Sequence, residues 1–331
     1  MGIKYLNRFF RTECNDAIKF ISIKELSGKK IAVDISIYMY KYEAENSLIE
    51  NMYLMLSIFR YYNIIPIFIF DGKPPAEKKE LLEKRRNNKK EAEEKYNKLK
   101  IELESDSNLD EDEKQDIINN MDLLKKQFIY INKEKIDIVK NLIRSYGATY
   151  FDAPCEADEL CAMLVIKKKV WACLSEDMDM FVYGCNRVIR YFSLLNHTVV
   201  LYDISQILSI LGITQKELTE ICVISGTDYN INNKQQNKTP ILYKTLKYFK
   251  KYYKNRNEND ISFYEWLNKN TDYILDYNLL INIYKMFDLN ENNIHQKIQI
   301  FDNIKIVNGK IIYNEIKQIL IKDGFIFPMK K

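Results

Sequence analysis

Apolar residues along this chain follow two rhythms. Short runs almost free of polar interruption, at 31–33, 64–70, 148–151 and 170–174, read as strands buried on both faces. Two more strands are expected at 187–192 and 199–202. Between them the spacing turns helical: within residues 1–30, then at 48–62, 137–146 (closed by Gly147), 156–168 (just after Pro154), 204–211 and 215–224. Strands alternating with helices predict an α/β fold with a parallel-rich central sheet and helices on both faces.

Two stretches break this alternation. Residues 76–135 are highly charged, helix-prone and contain neither Gly nor Pro. Between 73 and 100 stand eleven Lys and Arg against six Glu, and 103–116 turns acidic. The expectation is a helical hairpin projecting from the sheet, with a solvated coiled-coil pair as the alternative. Lys78 and Arg85, seven apart, would share one helix face. The second stretch, 234–256, carries eight Lys and Arg and no acid. Within it Leu242, Leu246, Phe249 and Tyr253 are expected to line one face of a helix, and Lys244, Lys247, Lys251 and Lys254 another. A contact to the DNA backbone fits clustered cations; a merely solvated face is the alternative. Residues 257–331 are polar with short apolar patches and say little.

Composition narrows the class. With 331 residues, 47% hydrophobic, 9 Gly and 6 Pro, the chain is globular with ample core and no long flexible linker. A net charge of +4 leaves partner choice to local charge. The six cysteines form no CxxC and read as reduced core thiols. Only His197 and His295 are present, which argues against a Ser-His-Asp triad or a His-rich metal site. No long apolar run and no signal peptide is seen, so an intracellular chain is expected, with no membrane partner.

The candidate chemistry is carboxylate. Residues 151–184 contain Glu156, Asp158, Glu159, Glu176, Asp177 and Asp179 among apolar neighbours. Two carboxylates ~4 Å apart repel by ~4 kcal/mol at an effective dielectric near 20, so such a gathering calls for a cation. Asp34 and Asp71 each end an apolar strand, where α/β folds place their chemistry, and Asp228 follows the helix at 215–224. Plainer readings exist one at a time. Asp34 suits a helix N-cap, and Glu156 and Asp158 suit a helix dipole. Three strands ending in acid have no structural need behind them.

Taken together, MGI at the start, VDISIYMY, FIFDGKPP, DAPCEADE, SEDMDMFVYG and ISGTDY resemble the flap endonuclease branch of the XPG-type structure-specific 5′ nucleases. The resemblance spans roughly residues 1–230. It implies a PIN-like 5′-nuclease core over 1–230 with a helical arch at about 76–135, then a helical DNA-binding region at 231–331 of degenerate helix-two-turn-helix type. It implies a first metal held by Asp34, Asp71, Glu156 and Asp158 and a second by Asp177, Asp179 and Asp228. Asp177 is also counted among the catalytic residues. Lys78 and Arg85 match basic positions that steer and polarise the scissile phosphate, and Arg86 adjoins them as a DNA contact. Tyr40 matches an aromatic that stacks on the terminal base, and Gly2 an N-terminal residue close to the active site. Two departures stand out. NINNKQQNKTP after Asp228 lacks the family's glycines, which bears on a monovalent-ion site. No QxxLxxFF-type sliding-clamp motif is visible.

The implied activity is hydrolysis of DNA phosphodiesters near a 5′ flap by two Mg²⁺ ions about 4 Å apart, in replication, repair or recombination. Mn²⁺ is the expected substitute. The substrates would be 5′ flaps, nicks, gaps or branched DNA. A 5′–3′ exonuclease or junction resolvase of the same superfamily is one alternative, and a catalytically inactive DNA-binding scaffold another. The chain would work in the nucleus of a eukaryote, or in the cytoplasm if it serves a cytoplasmically replicating DNA virus.

Overall fold

The computed structural model describes residues 2–105, 111–229, 241–255, 261–289 and 304–327. Its centre is a seven-stranded sheet in the order β1-β7-β6-β5-β2-β3-β4. The strands are β1 Ile18–Ser22, β2 Lys30–Asp34, β3 Ile65–Phe70, β4 Thr149–Asp152, β5 Ala172–Leu174, β6 Arg187–Ser193 and β7 Thr198–Asp203. β6, β5, β2, β3 and β4 run parallel; β7 is antiparallel to both β6 and β1. The parallel-rich sheet is as expected.

The period of two along each strand sorts the core into two layers. Ile31, Val33, Phe68, Phe70 and Leu174 face α2 (Ile35–Ala44), α3 (Leu48–Tyr61) and α6 (Lys133–Ser145). Ala32, Ile67, Ile69, Cys173 and Val188 face α1 (Leu6–Glu13), α7 (Ala157–Ile166), α8 (Asp179–Val182), α9 (Ile204–Leu211) and α10 (Gln215–Ser225). All six cysteines are free, and five are buried.

The charged stretch forms two helices, α4 Lys79–Ser105 and α5 Glu111–Lys125, packed on each other. Lys78 is not on α4. It closes a 3₁₀ turn, Ala76–Lys78, just before the helix, so it does not share a helical face with Arg85. The basic stretch forms α11, Ile241–Asn255, but its packed face is rotated from the expected one. Leu242, Thr245, Phe249 and Tyr252 are buried, while Tyr253 is 43% exposed. Thr245 sits inside because its hydroxyl bonds the Tyr273 hydroxyl at 2.8 Å and the Ile241 carbonyl at 3.0 Å. Apolar periodicity cannot register such a polar core position. Lys247, Lys251 and Lys254 point to solvent, and Lys244 lies 5.0 Å from the Tyr273 ring.

The uninformative C-terminal stretch folds into α12 (Phe263–Asn270) and α13 (Tyr277–Phe287), beside α10 and α11, and α14 (Tyr313–Lys322), which crosses to α6. Backbone bonds lock the crossing. Gly309 N–H donates to the Gly147 carbonyl at 2.8 Å and Ile312 N–H to that of Ser145 at 2.7 Å.

Glu220 on α10 is 5% exposed, and burial pushes its carboxyl up to about 7, with Lys216 opposing and Glu217 reinforcing. The unfolded chain loses that proton near 4.5, so the folded state is favoured below this value. That advantage disappears as pH rises through about 7. Glu220→Gln is expected to stabilise the protein by about 2–3 kcal/mol at pH 8 and by little at pH 4.5. Thermal midpoints across that range, read against the parent, check it; equal shifts at both ends would refute it.

Candidate active site

Parallel strands deliver their C-terminal ends to one edge of the sheet, and the acids of the sequence arrive there together. Asp34 ends β2, Asp71 follows β3, Glu156 and Asp158 follow β4 at the start of α7, and Asp177 and Asp179 follow β5. Asp228 comes in from the end of α10. Gly72 permits the close meeting of the β3 and β4 exits. Its N–H donates to the Cys155 carbonyl at 2.7 Å, and a Cβ there would stand 1.9 Å from the Ala153 oxygen.

Each carboxylate has a defined setting. Asp34 occupies the N-cap position of α2; one carboxylate oxygen accepts from the Ser175 hydroxyl at 2.9 Å, and the Ser36 backbone in the first turn of α2 also favours its charged form. Asp71 accepts from the Ala157 N–H at 2.9 Å. Asp177 accepts from the Asp179 N–H at 3.0 Å, and Asp158 from the Glu159 N–H at 2.6 Å. Both oxygens of Asp179 are buried without a hydrogen-bond partner among the described residues. Glu156 is held by Lys78 Nζ at 2.7 Å and by the Tyr229 hydroxyl at 2.6 Å. Arg85 reaches Asp228 at 2.9 Å.

The electrostatics record a shortage of positive charge. Burial, then the charge of Asp71, pushes the Asp34 carboxyl up to about 8. Burial, then Glu156, raises Asp158 well above the usual carboxylate range. Burial, then Asp177, does the same for Asp179. Asp177 is raised chiefly by burial, against a lowering bond from the Asp179 backbone. Burial works to lower Lys78, but Asp158 and Glu156 outweigh it and hold the ammonium charged. Among the described residues no three His, Cys, Asp or Glu side chains converge to enclose an ion as they stand. Lys78 and Arg85 neutralise part of the cluster instead. The donor set nevertheless fits a hard divalent cation. It is all oxygen, over-charged for its burial, and includes two orphaned oxygens on Asp179.

Gly2 lies against this cluster with φ +74, and a Cβ there would meet Asp179 Oδ1 at 2.5 Å and Asp177 Oδ1 at 2.7 Å. Gly2→Ala is therefore expected to displace both carboxylates and weaken divalent-ion binding about tenfold. Calorimetric titration of the DNA-free protein with Mg²⁺ checks this; unchanged affinity would remove Gly2 from the site. Tyr40 is 45% exposed with Lys89 Nζ of α4 5.0 Å from its ring. Arg86 is exposed on α4. Lys244, Lys247 and Lys251 make no ion pair with the carboxylates among the described residues. The glycine-poor segment 230–240, and with it the monovalent-ion question, lies outside the described residues.

Sequence reasoning missed two supporting residues, Tyr229 and Ser175, and gave a third, Glu176, the wrong surroundings. Tyr229 holds Glu156 and carries Lys78 Nζ 4.9 Å from its ring centroid. Ser175 bridges Asp34 and the Asp177 N–H, the latter at 3.1 Å. Glu176, counted among the gathered acids, turns away. It accepts from the Tyr191 N–H at 2.6 Å and pairs with Arg190, which also donates to the Glu176 carbonyl at 2.9 Å. It pins the loop carrying Asp177. The adjacency of Tyr229 to Asp228, and of Ser175 and Glu176 to Asp177, was the available signal.

Two family models match the chain: the XPG N-terminal domain over residues 1–92 and the XPG I-region over 147–228, together more than half of it. Flap endonuclease 1 of Anoplopoma fimbria is 31% identical over 247 residues, covering 69% of this chain and 62% of that protein. The chain thus spans about three fifths of the length of the curated relatives it matches. Among solved structures, the catalytic core of Rad2 in complex with DNA substrate aligns with a TM-score of 0.57 at 22% identity, over 97% of this chain and 99% of that one. Human GEN1 in complex with Holliday junction DNA aligns with a TM-score of 0.58 at 16% identity, over 97% and 73%. These likenesses establish the PIN-like α/β fold. With carboxylates of the XPG N-terminal and I-region segments gathered at one sheet edge under a helical hairpin, the chain belongs to the XPG family.

Proposed function

We propose that this chain is a metal-dependent, structure-specific DNA nuclease that hydrolyses a phosphodiester beside the junction of a 5′ single strand with duplex. The observation that carries this reading is the meeting of seven carboxylates with two arch-borne cations, Lys78 and Arg85, at one edge of the sheet. A scaffold that only bound DNA would gain nothing from that much buried repulsion.

In this reading Asp34, Asp71, Glu156 and Asp158 hold one Mg²⁺, and Asp177, Asp179 and Asp228 a second, with Mn²⁺ able to replace either. Ions held there supply Lewis-acid charge at the phosphate and acidify water, the two things phosphodiester hydrolysis needs. The chain's own groups do the rest. Lys78, buried and held charged by its acidic neighbours, offsets the charge that develops on the phosphate oxygens. Arg85 offers a planar fork for the same phosphate. Each must exchange its carboxylate for the substrate, so phosphate arrival and ion-pair release go together. Tyr40 stacks on the terminal base, with Arg86 beside the entering strand, and Gly2 lets the N-terminal backbone close the floor. Lys244, Lys247 and Lys251 grip the duplex backbone without reading sequence, so residues 1–230 do the chemistry and 231–331 help hold the duplex. No helix among the described residues is long and apolar enough to cross a membrane.

The test is a 5′-labelled substrate panel of double flap, nick, gap, splayed arm and four-way junction, with Mg²⁺ and with EDTA. The expected result is a Mg²⁺-dependent cut near the flap base. Preferred cutting of the nick or the junction would reassign the substrate to an exonuclease or a resolvase. No cut on any member despite tight binding would overturn the nuclease reading.

A further inference from the structure

The opposite end of the sheet has the inverse problem. Where β2, β5 and β6 begin, a cavity of about 540 Å³ is lined by Lys29, Lys30, Lys168, Lys169 and Arg187 around Trp171, with no Asp or Glu among its described lining residues. Lys29, Lys30, Lys168 and Arg187 enter no ion pair among the described residues. Lys29 Nζ lies 5.5 Å and the Arg187 guanidinium carbon 5.0 Å from the Trp171 ring centroid, so one half-buried ring holds two cations in place. Lys168 follows α7 with φ +57, a left-handed position where glycine is favoured. The chain keeps an exposed lysine there instead.

Four cations from three chain segments, Lys29, Lys30, Lys168 and Arg187, pair with no acid among the described residues, and their combined field favours an external anion that meets several of them at once. We propose that this edge is a second nucleic-acid surface, contacting the phosphate backbone of a DNA arm remote from the cut. The identity of the polyanion rests on the nuclease reading. The geometry adds that the cations surround an open concavity, which a row of phosphates satisfies together and a single small anion does not. Lying at the far ends of the strands from the carboxylates, the surface contributes affinity and leaves the chemical step alone.

Charge reversal at two exposed positions tests this. The full chain carrying Lys29→Glu and Lys168→Glu is titrated with a long-armed 5′-flap DNA in Ca²⁺ over a series of salt concentrations. The expected result is at least about tenfold weaker binding at low salt and a log K against log salt slope flatter by about 2, since each lost phosphate contact removes about 0.9. Single-turnover cleavage at saturating protein should stay within about twofold of the parent. A milder pair, Lys29→Gln with Lys168→Gly, removes charge while relieving the backbone at 168, and should move the slope the same way. In a Trp266→Phe chain, Trp171 emission should respond to the same DNA. Unchanged affinity and slope in both pairs would overturn the proposal, as would a Trp171 response to poly-glutamate but not to DNA. Because binding is read without turnover, loss of this surface and failure of the nuclease reading are separate outcomes.

Discussion

Asp177→Ala should abolish cleavage, by about 10³-fold or more, while DNA affinity is unchanged or tighter. Asp177 is 8% exposed, its carboxyl is raised by burial, and it lies in the field of Asp228. Its charge is a liability in the metal-free protein and an asset only once a cation is held. The isosteric Asp177→Asn sharpens the test with a readout independent of activity. It keeps the shape and removes the repulsion, so the metal-free protein should melt several degrees higher. The parent should gain more from added Mg²⁺ than the variant does. Cleavage near the parent rate would sink the site assignment. A lowered melting point for Asn would show that the carboxylate is structural.

The second large effect is expected at Lys78, and its two parts have opposite signs. Lys78 Nζ sits 2.7 Å from Glu156 and serves as the buried counter-charge of the cluster. Lys78→Met removes that competitor, so Mg²⁺ affinity measured by calorimetry without DNA should rise about tenfold. The same change removes the group proposed to meet the developing phosphate charge, so single-turnover cleavage should fall about 10²–10³-fold. If metal affinity falls along with the rate, Lys78 is holding the ligands in place rather than competing with the metal. An unchanged rate would remove the arch from the chemistry. Arg85, 43% exposed at its side chain and paired with Asp228, should show a weaker form of both effects.

The melting and metal-binding measurements also bear on Tyr229 and Ser175, whose hydroxyls hold Glu156 and Asp34. Neither hydroxyl can be assigned by residue type, because Ser and Tyr are common in loops and cores alike. Carboxylates were legible because uncompensated buried charge is rare, and a rare residue in an apolar context is a strong signal.

The helical elements divide in the same way. α3, α6 and α10 announce themselves by apolar spacing because they cover a sheet face. α4 and α5 announce themselves by charge and by the absence of Gly and Pro. The rotation of α11 could not be read, since Thr245 is buried through its bond to Tyr273, which is distant in sequence. The docking of α14 on α6 rests on backbone bonds from Gly309 and Ile312 to the turn after α6, and backbone bonds leave no mark in side-chain pattern.

The sequence by itself determined the α/β class, the parallel strands and the charged helical pair α4 and α5, and it marked which acids end the strands, because burial period and uncompensated charge are local properties. The tertiary structure decided what those residues face. It placed Lys78 in a 3₁₀ turn against Glu156, turned Glu176 away onto Arg190, brought Gly2 against Asp177 and Asp179, and gathered Lys29, Lys168 and Arg187 around Trp171. Each is a contact between residues far apart in the chain. Its energy depends on distances that only the assembled sheet sets.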